Sequence, residues 1–217
     1  MERISPCQAQ AGFSLVEMSI VLVIVALLLA GLLPTVSSQI EQARRNETLK
    51  YMNEVRDALL GYTIVNKHLP CPDSNGDGSA DAPCTGISQR GTLPYNDLGV
   101  ADKDAYGNVL VYAVTPAFAD STTPFTLSST GTMRICTTSL CSGSAFLTST
   151  AVAVIVSRGA NFGNTPSTDE AKNTFNGVVN STDFVSHDFI QNGFDDLVIW
   201  LSPNTLFNRM VAAGKLP

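Results

Sequence analysis

Gly12-Phe-Ser-Leu-Val-Glu17, followed by Met18-Ser-Ile-Val-Leu-Val-Ile-Val-Ala-Leu-Leu-Leu-Ala-Gly-Leu-Leu-Pro34, is the stretch on which the fold depends. From Phe13 to Leu33 only Ser14, Glu17 and Ser19 carry polar side chains, a run of 21 residues. As a helix rising ~1.5 Å per residue it spans roughly 32 Å, enough to cross a hydrocarbon core of about 30 Å. Glu17 sits four residues inside that run. An ionised carboxylate in hydrocarbon costs several kcal/mol, so an acid there points to function before it points to structure.

Cleavage after Gly12 would make Phe13 a new amino terminus. Its ammonium and the Glu17 carboxylate are then opposite charges in a dry setting, and each needs a partner. Carrying this glycine, glutamate and apolar run, the stretch resembles the class III signal of type IV pilins and type II secretion pseudopilins. The resemblance implies a cut at Gly12–Phe13 by a prepilin peptidase and N-methylation of Phe13. It also implies that Glu17 serves assembly and that Pro34 stands where pilins often carry a helix proline. It covers residues 12 to about 35, and the remainder is read from its own residues.

Beyond Pro34, Val36, Ile40, Ala43, Glu47, Met52, Val55, Leu59, Tyr62 and Val65 recur at intervals of mostly three or four. Glu47 apart, this is the apolar stripe of an amphipathic helix. Glu41 and Arg45 fall i,i+4 on the other side. One helix is expected from about Phe13 to about Asn66, kinked near Gly31 and Pro34, since embedded helices tolerate proline. His68-Leu-Pro-Cys-Pro72 ends it. The expected divisions are a leader over 1–12, a transmembrane or filament-core half-helix over 13–34, an amphipathic half over 35–67, and a β-rich head over 68–217.

The chain has 217 residues, is 44% hydrophobic and carries a formal charge of −6. That length holds one long helix and one modest domain. The mild acidity offers no nucleic-acid footprint. The leader, with Arg3 balanced by Glu2 and no apolar core, is not an ordinary secretory signal. Cys7 falls in the leader. Cys71, Cys84, Cys136 and Cys141 remain, and behind an exporting segment an even number of cysteines reads as two disulfides. Sequence allows three pairings, of which the local one, Cys71–Cys84 with Cys136–Cys141, is the simplest. Neither His68 nor His187 has zinc-ligand spacing to the cysteines.

Between Cys71 and Cys84, Asp73, Asn75, Asp77, Ser79 and Asp81 alternate as hard oxygen donors, and Gly78 occupies the sixth place, where an EF-hand loop turns. The twelfth place, however, is Cys84 rather than a bidentate Glu. The same residues also read as an acidic, glycine-rich turn pinned by a disulfide. Calcium is the expected ion if this loop binds one.

Strands are expected over Val109–Val114, Thr132–Thr137, Ala151–Ser157 and Leu197–Leu201, with an edge piece near Asp183–Ser186. Gly91 to Gly99 reads as a loop. Ser202 should cap a last helix with Pro203 in its first turn and Gly214 at its end. Asp104-Ala-Tyr-Gly-Asn108 resembles a turn of major pseudopilins, with Ala105 and Tyr106 at the places of Pro and Trp. Ser157-Arg-Gly-Ala-Asn161 and Asp195-Asp-Leu-Val-Ile-Trp200 resemble the two sides of the calcium loop in those proteins. There an Asp stands where Asn161 stands here, and the intervening stretch is far shorter. The resemblance implies a second calcium site at Asp195 and Asp196.

The fold class expected is α+β, a long kinked helix packed on a small antiparallel sheet. The function expected is that of a filament subunit, a minor pilin or pseudopilin. Its expected partners are homologous subunits, prepilin peptidase and an inner-membrane assembly platform. It would sit in the bacterial inner membrane with its head in the periplasm before entering a pilus or pseudopilus. The alternative is a membrane-tethered ligand-binding or adhesin-like head that uses pilin export. No nucleophile–base–orienter set or phosphate loop is present, so an enzyme is not expected.

Overall fold

The computed structural model describes residues 12–84, 89–142, 146–164, 166–175, 181–190 and 193–216, side chains of 31–36 excepted. It falls into two compact units, Met1–Ala43 and Arg44–Pro217.

Helix α1 covers Leu15–Asn66 and is helical without interruption across Pro34, whose side chain lies outside the described residues. Within the second unit it buries Thr48, Met52, Val55, Leu59, Leu60 and Thr63. This face tracks the predicted stripe at Met52, Val55 and Leu59 and then departs from it. Val65 is 75% exposed, and Thr63, fully buried, returns its hydroxyl to the Leu59 carbonyl at 2.7 Å. A threonine can be buried here because the helix's own backbone accepts its proton. Ile40, predicted for the stripe, is exposed.

The strands are β1 (Arg90–Thr92), β2 (Val111–Val114), β3 (Met133–Cys136), β4 (Phe146–Ala151), β5 (Ala153–Ser157), β6 (Asp183–Val185) and β7 (Leu197–Leu201). Short helices α2 (Tyr95–Leu98), α3 (Pro116–Ala119) and α4 (Glu170–Asn173) lie between them, and α5 (Pro203–Ala212) follows. The expected single sheet is in fact two: β1-β2-β5-β7, wholly antiparallel, and β4-β3-β6. In the second, β3 and β6 run parallel, because the chain returns to β3 through the long segment after β5.

The apolar run predicted as one strand from Ala151 is where the chain changes sheets. Ala151 ends β4 and Ala153 begins β5, while Val152 between them donates to the Leu201 carbonyl and accepts from Thr115 N–H. Alternation of side chains across the first sheet then makes two cores. Leu110, Tyr112, Val114, Ala153, Ile155 and Leu201 face α1 and α5. Val111, Ala113, Val154, Val156 and Val198 face the second sheet's Met133, Ile135 and Phe184. The second unit is therefore layered helix, sheet, sheet. Each fully buried aliphatic side chain contributes about 1.5–3 kcal/mol.

Disulfides join Cys71 to Cys84 and Cys136 to Cys141, with Cα separations of 5.4 and 5.3 Å. Ser202 caps α5, its Oγ accepting from Thr205 N–H at 3.2 Å, with Pro203 in the first turn.

Candidate functional site: a helix terminus and a buried acidic cluster

In the first unit, Met18 N–H closes the first helical bond onto the Ser14 carbonyl at 3.1 Å, and Phe13 precedes the helix, 79% exposed. Glu17 lies in the first turn of α1, where the helix dipole favours an anion. Around and beyond it the apolar side chains are all exposed, from Leu15 (90%) through Leu22 (65%) to Leu29 (54%). No other ionisable side chain occurs from Phe13 to Ile40. Among the described residues a Cβ added at Gly12 would meet nothing within 4 Å. Among the described residues no helix is long and apolar enough to cross a membrane; the side chains of 31–36 lie outside that count.

In the second unit, the predicted loop 73–81 closes on itself. Asp73 is 1% exposed, its Oδ1 accepting from Asn75 and Gly76 N–H and its Oδ2 from Gly78 N–H and the Thr92 hydroxyl. Asn75 Oδ1 accepts from Asp77 N–H, and Asp77 Oδ1 from Ser79 N–H. Asp81 accepts from the backbone and hydroxyl of Ser74 and from the Asn75 amide, and these bonds hold its carboxyl below the ordinary range. Asp73, Asn75 and Asp77 thus serve as internal caps of a turn.

Asp195 and Asp196 precede β7, and the structure brings to them a residue that spacing did not reveal, Glu170 at the start of α4. All three are buried, and each offers an oxygen within 4.8 Å of the others. Among the described residues this is the one group of three or more acidic, histidine or cysteine side chains so close. Glu170 is placed by a capping box: its backbone N–H donates to Ser167 Oγ at 3.2 Å, while Ser167 N–H donates to Glu170 Oε2 at 2.8 Å. Its Oε1 accepts from the Asn161 amide at 2.8 Å and from Asp195 N–H at 3.1 Å. The Ser167-x-x-Glu170 pattern was available in the sequence and marks a helix start, but nothing local says that its carboxylate meets Asp195.

Asp195 Oδ2 accepts from Ala160 and Asn161 N–H at 2.8 and 2.9 Å. Its buried Oδ1 has no hydrogen bond among the described residues. Asp196 Oδ2 accepts from the Asn173 amide at 2.8 Å. Gly159, with φ of +60°, leaves the space: a side chain there would overlap the Asp195 carboxylate. The Asp104 turn supports the same loop, since Asp104 Oδ2 accepts from the Ser157 hydroxyl and the Asn108 amide donates to the Gly159 carbonyl.

Burial pushes the Asp196 carboxyl up to about 7, and the Glu170 and Asp195 charges push the same way against the Asn173 hydrogen bond. Burial also raises Asp195, with the Glu170 charge adding to it against the amide bonds. For Glu170 burial pushes upward, but the donors from Ser167, Asn161 and Asp195 outweigh it and leave the group low. Arg158 lies against the ring of Phe162, its cation 3.5 Å from the centroid, and is lowered by burial. A cavity of about 230 Å³ opens beside the cluster, with Arg158, Phe162, Glu170, Phe175 and Asp196 in its wall.

Residues 7–33 match the family model described as the prokaryotic N-terminal methylation motif, the class III signal of type IV pilins and pseudopilins. No curated protein and no solved structure matches the chain. The motif supports a substrate of the type IV pilin pathway, and it implies processing by prepilin peptidase and assembly with pilin-type subunits. The helix-first, α+β architecture fits the same class.

Proposed function

We propose that the chain is a structural subunit of a type IV pilus-like filament or secretion pseudopilus. It is inserted in the inner membrane, cut between Gly12 and Phe13, methylated on Phe13, and drawn into the filament by its N-terminal helix. The observation that carries this is Glu17, the lone ionisable group from Phe13 to Ile40, on a stretch of α1 whose apolar side chains from Leu15 to Leu29 are exposed. A stripe would need one partner surface; apolar side chains all round need either lipid or a ring of like helices. The segment is also rich in Val and Ile, modest helix formers in water, and becomes helical wherever the backbone has only itself to bond.

Inside a filament the Phe13 ammonium needs an anion within about 4 Å, and Glu17 of an adjacent subunit supplies it. The pair also sets register, because a one-turn slip leaves both charges unpaired. Glu17→Gln keeps the shape and removes the charge. With the assembly machinery present, the ratio of filament-associated to membrane-retained subunit should fall sharply for this variant, while insertion, cleavage and folding stay normal. Incorporation at the wild-type ratio would favour the tethered-head alternative.

We also assign calcium to the Asp195–Asp196 end of the head. What supports it is an all-oxygen donor set, which suits a hard cation, and a buried Asp195 oxygen that accepts no hydrogen bond among the described residues. The 73–81 loop, with Asp73, Asn75 and Asp77 engaged by its own amides, reads instead as a self-capped turn.

A further inference from the structure

The cation assignment leaves one question, which is what replaces the acid absent at Asn161. We infer that Glu170 is a ligand of the same cation, so that the ion ties α4 to the loop before β7 and holds the segment after β5 onto the head. This rests on the calcium assignment and extends it to a residue some 25 positions away in the chain.

Three observations place Glu170 in that role. The Asn161 amide, unable to act as an anion, donates to Glu170 Oε1 at 2.8 Å, so the position that lacks the acid is bonded to the residue that brings one. Asp195 N–H donates to the same oxygen at 3.1 Å, which fixes the two carboxylates against each other. Asp195, 8% exposed, has a buried Oδ1 with no donor among the described residues, within a group whose oxygens lie within 4.8 Å of one another. Three buried carboxylates repel, and a buried acceptor without a partner costs about 1–3 kcal/mol. A divalent cation among them cancels the repulsion and satisfies Oδ1 together. Glu170 Oε1 and Oε2 already take three N–H donors, which leaves lone-pair capacity for one ligand bond. Calcium wants six to eight oxygens, and the adjoining cavity gives its water ligands room.

The cation has a structural consequence beyond its ligands. Asp169, next to Glu170, accepts from Ser139 N–H at 2.7 Å, inside the loop closed by Cys136 and Cys141. It also meets His187 Nε2 at 3.2 Å, and the His187 ring lies 3.9 Å from that of Phe194, which precedes Asp195. Securing Glu170 therefore secures the contacts of α4 with the disulfide loop and with the stretch after β6.

The test uses calcium chloride titrated into the chelator-treated full-length processed protein in detergent, followed by calorimetry and thermal denaturation, with magnesium for comparison. Wild type should bind about one calcium per head and gain Tm, and Glu170→Gln should weaken binding about tenfold or more. Gln keeps one acceptor oxygen but sets its NH2 against donors that the second carboxylate oxygen takes. Metal-free Glu170→Gln should therefore melt somewhat below metal-free wild type, and the readout is the calcium-induced gain in Tm of each. Asp195→Asn should lose the calcium response in the same way, and Asp77→Ala should keep it. Equal calcium affinity in wild type and Glu170→Gln would overturn the inference, as would an equal calcium-induced gain in Tm. Loss of binding in Asp195→Asn with full binding in Glu170→Gln would leave the calcium assignment standing and remove Glu170 alone. No binding by wild type would remove both, and the filament reading, tested through Glu17, would be untouched.

Discussion

Residues 15–30 and 44–66 of α1 are both helical, yet their side chains meet opposite surroundings. Leu22 is 65% exposed and Leu59 is fully buried. The first stretch is exposed and, Glu17 and Ser19 apart, apolar, and its side chains are not buried by any described residue; the second has one buried face against the first sheet and a charged face carrying Lys50, Glu54 and Arg56. Folding of the chain fills one half and, on the filament reading proposed above, assembly fills the other. The same chemical group therefore has a different consequence in each half: a leucine in the second stabilises the subunit, and a leucine in the first has value only among other molecules.

The largest effect on the head should come from Leu59→Ala. Its side chain is fully buried in the core shared by α1, α5 and the first sheet. Truncation removes transfer energy and leaves a cavity, at a cost of about 2–5 kcal/mol. Chemical denaturation of the processed protein in detergent, followed by the tryptophan signal of Trp200, should show it. A loss under about 1 kcal/mol would mean that the second half of α1 is no more integrated than the first.

Next comes the disulfide that closes the loop following α1. Replacing both Cys71 and Cys84 by serine should cost about 3 kcal/mol, because the unfolded chain regains the loop-closure entropy. Both cysteines are buried in the same core as Leu59, so the two losses should couple rather than add. Non-reducing peptide mapping that linked Cys71 to any cysteine other than Cys84 would contradict the fold directly.

The smaller structural effect is the cap of α5. Ser202→Ala removes the acceptor for Thr205 N–H and should cost about 1 kcal/mol. Leu206 and Met210 stay buried against the core, so α5 should remain docked. Denaturation midpoints of Ser202→Ala and Ser202→Asp should separate, because the aspartate can cap and the alanine cannot.

What could be read from the sequence was what is local. The methylation signal, the helix to Asn66, the Ser202 cap and the runs that became β5 and β7 all carry their evidence within a few residues. The split of the apolar run at Val152 was not legible, because its cause is external: Val152 bonds to Leu201 and Thr115, distant in the chain. β1, an Arg-Gly-Thr segment, has no strand signature and exists because β2 offers it an edge. Glu170 was illegible for the same reason. Its capping box could be seen, but the carboxylate it aims at Asp195 is a fact of topology. The 73–81 loop shows the converse: ligand-like spacing was plain, and the structure turns most of those oxygens inward onto the loop's own amides.

The smallest predicted effect on stability is the sharpest probe of the comparison. Leu22→Ala removes as many methyl groups as Leu59→Ala, from a side chain that touches little of its own subunit. Alanine also has the higher helix propensity. The head of Leu22→Ala should therefore unfold within about 0.5 kcal/mol of wild type. Its filament-to-membrane ratio should nevertheless drop, because in a packed array of helices the missing volume becomes a cavity at every subunit. The drop should be milder than that of Glu17→Gln, since a cavity is graded and an unpaired charge is not. The informative pair of measurements is head stability and incorporation on the same preparation. If Leu22→Ala destabilises the head by as much as Leu59→Ala, the first half of α1 is packed against its own subunit, and the division of labour along the helix fails. If it changes neither quantity, these apolar side chains face lipid rather than other helices, and Glu17 would have to act without a helical core around it.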